Sequence, residues 1–154
     1  MADSLRRRVN HVLAEFATRV GLGTCQLDDE GGAQFAIDDV LVSLLLDDDA
    51  KALLLLASVG HPEPGAEIYG KLLDANLFWD GAGGATLARV PASGAIVLQR
   101  SLRWDDIEIG EFEAALQRFV DAAERFARRL NETDEEAETP STSSLTVLDH
   151  FVRG

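Results

Sequence analysis

The 154-residue chain has a single cysteine, Cys25, a single tyrosine, Tyr69, and no methionine after the first residue. One cysteine excludes an intrachain disulfide and a cysteine-rich metal site, so stability has to come from an ordinary apolar core. Basic residues are scarce: 14 Lys and Arg stand against 27 Asp and Glu, a formal charge of -13. That field repels phosphate backbones and anionic bilayer surfaces, which argues against nucleic acid as a partner. No apolar run approaches the ~20 residues that span a bilayer, and the greasiest stretch, 53–59, has the length of a strand, so membrane insertion is not expected. The first residues are charged (Arg6, Arg7 and Arg8) and lack the apolar core of a secretory signal, which points to a cytosolic protein.

Catalytic patterns are lacking as well. Cys25, the serines and the three histidines His11, His61 and His150 fall into no spacing that links a nucleophile to a base and an orienting group. The glycine-rich stretch Gly81-Ala82-Gly83-Gly84 has no lysine after it and leads into strand-like residues, so it is no phosphate cradle. Asp47-Asp48-Asp49 lacks the spaced oxygens, central glycine and terminal glutamate of a calcium loop and reads as a solvated turn. No catalytic residue, cofactor site or metal site is therefore assigned, and the chain is not expected to be an enzyme.

What is present is alternating helix and strand pattern. Leu5, Val9, Val12, Leu13, Phe16, Ala17 and Val20 recur at spacings of three and four and predict a first helix closed by glycine. Short β-like segments follow at 24–27, 34–37, 40–46 and 52–59, separated by Asp- and Gly-rich turns. The runs 41–46 and 53–56 are apolar without alternation, a pattern that calls for cover on both faces of a sheet. A second helix is predicted over 66–78, with Pro64 near its first turn. Its apolar arc of roughly 200°, at 100° per residue, exceeds the stripe of a simple surface helix and calls for two surfaces to pack on. A hairpin follows over 85–90 and 95–101, turning at Pro91-Ala92-Ser93-Gly94. A third helix carries Phe112, Ala115, Leu116, Phe119, Val120, Ala123, Phe126 and Leu130 on one face.

The expected fold is α+β, an antiparallel sheet with helices packed against it in the order α-β-β-β-α-β-β-α. One domain is expected over 1–130. Residues 131–154 differ in kind. Glu132, Asp134, Glu135, Glu136 and Glu138 meet no basic residue before a Ser/Thr-rich stretch, the composition of a disordered acidic tail. Leu145, Val147, Leu148, Phe151 and Val152 read either as a short sticky motif or as a frayed end.

The stretch Leu72-Leu73-Asp74-Ala75-Asn76 ending a helix, then Gly83-Gly84 leading into Ala85-Thr86-Leu87-Ala88, then Ile96-Val97-Leu98-Gln99-Arg100, resembles the core pattern of class I type III secretion chaperones of the CesT-like (Tir chaperone) family. Low charge balance and helices near both ends agree with it, over about 5–130. The resemblance implies a bacterial cytoplasmic homodimer, joined through the second helix and the following strand, at Leu72, Leu73, Asn76, Leu77, Leu87 and Ala88. It implies a non-enzymatic grip on the extended N-terminal segment of one or more secreted effectors, with a role in virulence. The export ATPase of the secretion system is a further partner that it leaves open. Val9, Leu13 and Phe16 on the first helix, with Phe35, Ile37 and Leu41 on the early strands, are the candidates for effector contact. The competing reading is a small acidic immunity-type inhibitor that covers the basic site of a folded toxin.

Overall fold

The computed structural model describes residues 2–105 and 107–138. Three helices, α1 (Ala2–Val20), α2 (Ala66–Ala75) and α3 (Ile109–Glu138), alternate with five strands, β1 (Gly32–Ile37), β2 (Val40–Asp47), β3 (Ala52–Gly60), β4 (Thr86–Arg89) and β5 (Ile96–Arg103). The strands form one sheet in the order β1-β2-β3-β5-β4, and the pairings β1 with β2, β2 with β3 and β4 with β5 are antiparallel. This is the expected α+β class and order. The chain divides into two compact units, one of Met1–Ala57 with Arg100–Val120, the other of Ser58–Gln99 with the chain from Asp121 onward.

In the first unit Val9, Val12, Leu13, Phe16 and Ala17 of the predicted α1 stripe are buried as core, while Leu5 is half-buried and Val20, at the helix end, is exposed. Phe16 stands at the centre of that core, its ring 5.5 Å from Phe35 of β1 and 5.5 Å, edge-on, from Phe112 of α3. Trp104 extends the cluster, 5.9 Å from Phe112. The expected strand at 24–27 is not part of the sheet. Its Leu27 N–H donates to Asn10 Oδ1 at 2.9 Å instead of to a strand, so the segment lies as a plug with Cys25 and Leu27 buried. Asp28 then shapes the entry to β1: its carboxylate accepts from the N–H groups of Glu30 at 2.9 Å and Gly32 at 2.8 Å. β1 and β2 join through a two-residue loop at Asp38 and Asp39, where Asp38 takes the left-handed conformation that aspartate tolerates (φ 51°).

In the second unit the end of β3 leads through His61, whose imidazole bonds the carbonyl of Ser93 in the β4–β5 turn. Gly60 allows Leu130 to pack close, because a Cβ there would meet the Leu130 side chain at 3.0 Å. Ile68 and Leu72 bury the inner face of α2. α2 stops at Ala75, short of the expected 78. A 3₁₀ segment, Leu77–Ala82, follows, with Phe78 and Trp79 in left-handed backbone (φ 56° and 59°). Every residue of the predicted α3 face is buried, through Leu130. The helix does not end at the expected boundary after Leu130 but runs on to Glu138, since Glu and Ala over 132–138 are good helix formers. The rest of the expected acidic tail, 139–154, lies outside the described residues.

Candidate functional site

The non-alternating leucine runs of β2 and β3 are resolved by the sheet into two unlike faces. Val40, Val42 and Leu44 of β2 and Leu53, Leu55 and Ala57 of β3 are buried. On the opposite face Leu41 and Leu45 are 55% and 45% exposed, and Leu54 and Leu56 are half-buried. The register makes these a continuous patch: Leu45 stands opposite Leu54, Ser43 opposite Leu56, and Leu41 opposite Ala36 of β1. Gln34 and Ser43 cross it with a 2.9 Å side-chain bond. Solvent-facing leucine in the middle of a sheet is costly, and each such side chain gains about 1.5–3 kcal/mol when covered. Among the described residues β1 borders this face with β2 as its one strand neighbour, so a backbone edge runs beside the apolar row.

At the far end of the row a hollow of about 320 Å³ is lined by Leu45, Leu54 and Ala52 together with Asp47, Asp48 and Asp49. Apolar walls with a carboxylate rim suit a side chain with a hydrocarbon stem and a cationic head. Among the described residues no group of three or more His, Cys, Asp or Glu is placed to hold a metal ion, and no helix is long and apolar enough to cross a membrane.

A second apolar surface lies on the other unit. Leu73 and Leu77 point to solvent, joined by Phe78 (74% exposed) and Trp79 (57% exposed). Two consecutive aromatics in left-handed backbone cost about 1–2 kcal/mol each, yet they are held outward with little to rest on. Asn76, just before them, turns its amide onto β4. Its Nδ2 donates to the Leu87 carbonyl at 3.0 Å, and its Oδ1 accepts from the Leu87 N–H at 2.8 Å.

The sequence profile of the Tir chaperone protein (CesT) family matches residues 11–127. The chain belongs to that family. It is 33% identical over 145 residues to the transcriptional anti-antiactivator ExsC of Pseudomonas aeruginosa, a match that takes in 93% of this chain and 99% of that protein. The crystal structure of the ExsC–ExsE complex superposes with a TM-score of 0.72 at 34% identity, over 81% of this chain and 95% of that one. The Yersinia pestis type III secretion chaperone SycH, solved with a stable fragment of YscM2, shares the fold at 24% identity, with a TM-score of 0.60 over 76% of this chain and 98% of that one.

Against this family background the residues singled out in the sequence divide sharply. Val9, Leu13, Phe16 and Phe35 are core, at most 8% exposed, and so are not free to line a groove for an effector. Ile37 is half-buried and lies on the core-facing side of β1, in register with buried Val40. Leu41 alone of the six stands on the open face. Leu45, Leu54 and Leu56 share that face and were not among the six; the non-alternating runs, which were expected to be covered on both faces, put apolar side chains there, and in this chain that face is left partly open. Of the candidate dimer residues, Leu72 and Leu87 are buried, Asn76 is engaged with Leu87, Ala88 is half-buried, and Leu73 and Leu77 are exposed. Phe78 and Trp79 belong with the last two.

Proposed function

We propose that the chain is a type III secretion chaperone that holds the extended N-terminal segment of a secreted effector on the open leucine face of β2 and β3, without catalysis, in the bacterial cytoplasm. The observation that carries the reading is the row Leu41, Leu45, Leu54 and Leu56, apolar side chains that the described residues leave exposed or only half-buried beside the outer edge of β1. A threadlike client suits that surface. Its side chains cover the leucines, and its backbone finds donors and acceptors along the strand edge, which offsets the ~1–2 kcal/mol lost on fixing each residue. Nothing in that act consumes a nucleotide.

A homodimer completes the reading. Leu73, Leu77, Phe78 and Trp79 form the compact apolar patch that a twofold contact would bury against its own copy, alongside Ala88. Because Asn76 occupies the Leu87 backbone, the contact runs through side chains at that point and not through strand pairing. Docking of the export ATPase belongs to the same reading as a separate surface.

The likeness to ExsC, a transcriptional anti-antiactivator, favours an added regulatory role. Relieving an antiactivator requires only that a protein be bound and withheld, which is the same physical act as holding an effector. The charge of -13 makes a direct hold on DNA unfavourable and leaves protein capture as the route to transcription. Co-purification with secreted proteins encoded nearby, followed by protease mapping, tests the proposal. It requires a protected segment near the partner's N-terminus that is lost in Leu45→Asp, and protection of a whole folded domain would refute it.

A further inference from the structure

The leucine row on the open face is chemically monotonous. Leu41, Leu45, Leu54 and Leu56 offer an extended client near-equivalent apolar contacts. Side chains on one face of a strand repeat every two residues, so a client that slips by two still covers the row. The hollow of about 320 Å³ at the end of the row breaks that equivalence. Leu45 and Leu54 belong to both row and hollow, Leu46 and Ala52 add apolar wall, and Ala52, 4% exposed, stands opposite Asp47 in the β2–β3 register. Ser101 of β5 supplies a neutral hydroxyl.

Charge in this hollow is of one sign. Its lining holds Asp47, Asp48 and Asp49 and no Lys, Arg or His. Asp47 is committed in part to the turn, where its Oδ1 accepts from the Ala50 N–H at 2.9 Å. Asp48 and Asp49 are exposed, and among the described residues none of the three carboxylates forms an ion pair. Lys51, Arg100 and Arg103 flank the hollow in sequence but do not line it, and Arg103 is paired with Asp105 at 3.1 Å. Like charges around one hollow repel each other, and a cation seated among them turns that repulsion into attraction.

Resting on the chaperone reading above, we propose that this hollow receives one arginine side chain of the extended client segment and thereby fixes the client's register on the leucine row. The arginine stem lies along Leu45, Leu46 and Leu54, and its guanidinium lies among Asp48, Asp49 and the Ser101 hydroxyl. A planar guanidinium carries five N–H donors, which match acceptors spread around a rim, and it is more weakly hydrated than an ammonium, so a partly apolar hollow favours arginine over lysine. An aliphatic side chain two positions away on the client then covers the row beside the hollow. A slip by two places the guanidinium on leucine and leaves the carboxylates unpaired, so the anchor selects one register where the leucines alone do not.

The test uses the full chain and three acetylated, amidated peptides, Leu-Ser-Leu-Ser-Arg and its twins ending in citrulline and in lysine, titrated by calorimetry. Citrulline keeps the shape of arginine and removes its charge. The expected result is at least tenfold tighter binding of the Arg peptide than of the citrulline twin, with the Lys peptide between them. Asp48→Asn with Asp49→Asn should abolish that preference and leave the citrulline affinity unchanged. Glu63→Gln with Glu67→Gln removes the same charge from the other unit and should keep the preference. Equal affinity for the Arg and citrulline peptides, no binding of any of the three, a preference that survives the Asp48 and Asp49 changes, or an equal loss in both double variants overturns the inference. Leu41 lies on the row and outside the hollow, so Leu41→Asp separates the two readings. Partner capture lost in Leu41→Asp, beside an absent Arg preference, dismisses the hollow and leaves the chaperone reading standing. An Arg preference that depends on Asp48 and Asp49, in a protein whose Leu41→Asp variant keeps its partner, supports the hollow and removes the leucine row.

Discussion

The side chain of Asn76 satisfies both backbone groups of Leu87 at once, through bonds of 3.0 and 2.8 Å. Leu87 faces Leu98 across the β4–β5 pair, and β4 is a margin of the sheet, so this amide acts as a one-residue stand-in for a missing neighbour strand. The asparagine that closes the family's helix pattern thereby acquires a physical reason.

Asn76→Ala leaves two part-buried backbone groups without partners, and a loss of about 1–3 kcal/mol in urea unfolding is expected. Asn76→Asp keeps the acceptor and removes the donor, so it should fall between the two. Equal stability of all three proteins would show that water replaces the amide at no cost.

Leu73→Asp should separate the proposed dimer while leaving the subunit folded, because Leu73 is 69% exposed and contributes little to its own unit. Light scattering coupled to size exclusion should report half the mass, with circular dichroism unchanged. A dimer of undiminished mass would take Leu73 out of the contact.

Leu13 and Leu45 were indistinguishable as apolar letters but have opposite surroundings, one fully buried and one 45% exposed. Leu13→Ala should cost about 2–5 kcal/mol of stability through the cavity it leaves. Leu45→Asp should stay within about 0.5 kcal/mol and lose the partner. Paired denaturation and co-purification measurements check both halves.

Burial pushes the Cys25 thiol above its ordinary value by desolvating the thiolate. In the folded chain it should react with Ellman's reagent at pH 8 at least ten times more slowly than in urea. As pH rises through the ordinary thiol value, the unfolded chain ionises first, so folding stability falls on the alkaline side and is intact below it. That share of the alkaline loss should vanish in Cys25→Ala when unfolding is compared at pH 7 and pH 10.

The elements whose apolar periodicity ends in their own core were readable from letters alone. Phe112 through Leu130 is the clearest case, a stripe wholly buried. Periodicity says that a face is covered, not by what, and for that reason Val9, Leu13 and Phe16 looked equally suited to core and to cargo. The break after Ala75 was hidden for another reason: Leu77, Phe78 and Trp79 continue the helical spacing, while the left-handed turn at Phe78 and Trp79 and the pull of Leu87 on Asn76 are imposed by the fold. Segment 24–27 misled because its β-like residues lose their strand partner to the Asn10 side chain, seventeen positions earlier for Leu27.

Hydrogen–deuterium exchange on the chain with and without its co-purified secreted partner tests the central claim most directly. Slowed exchange in Gly32–Ile37 and Val40–Asp47, matched by one short protected stretch near the partner's N-terminus, is the predicted result. Unaltered exchange in both strands, with protection spread over a folded partner, would contradict it.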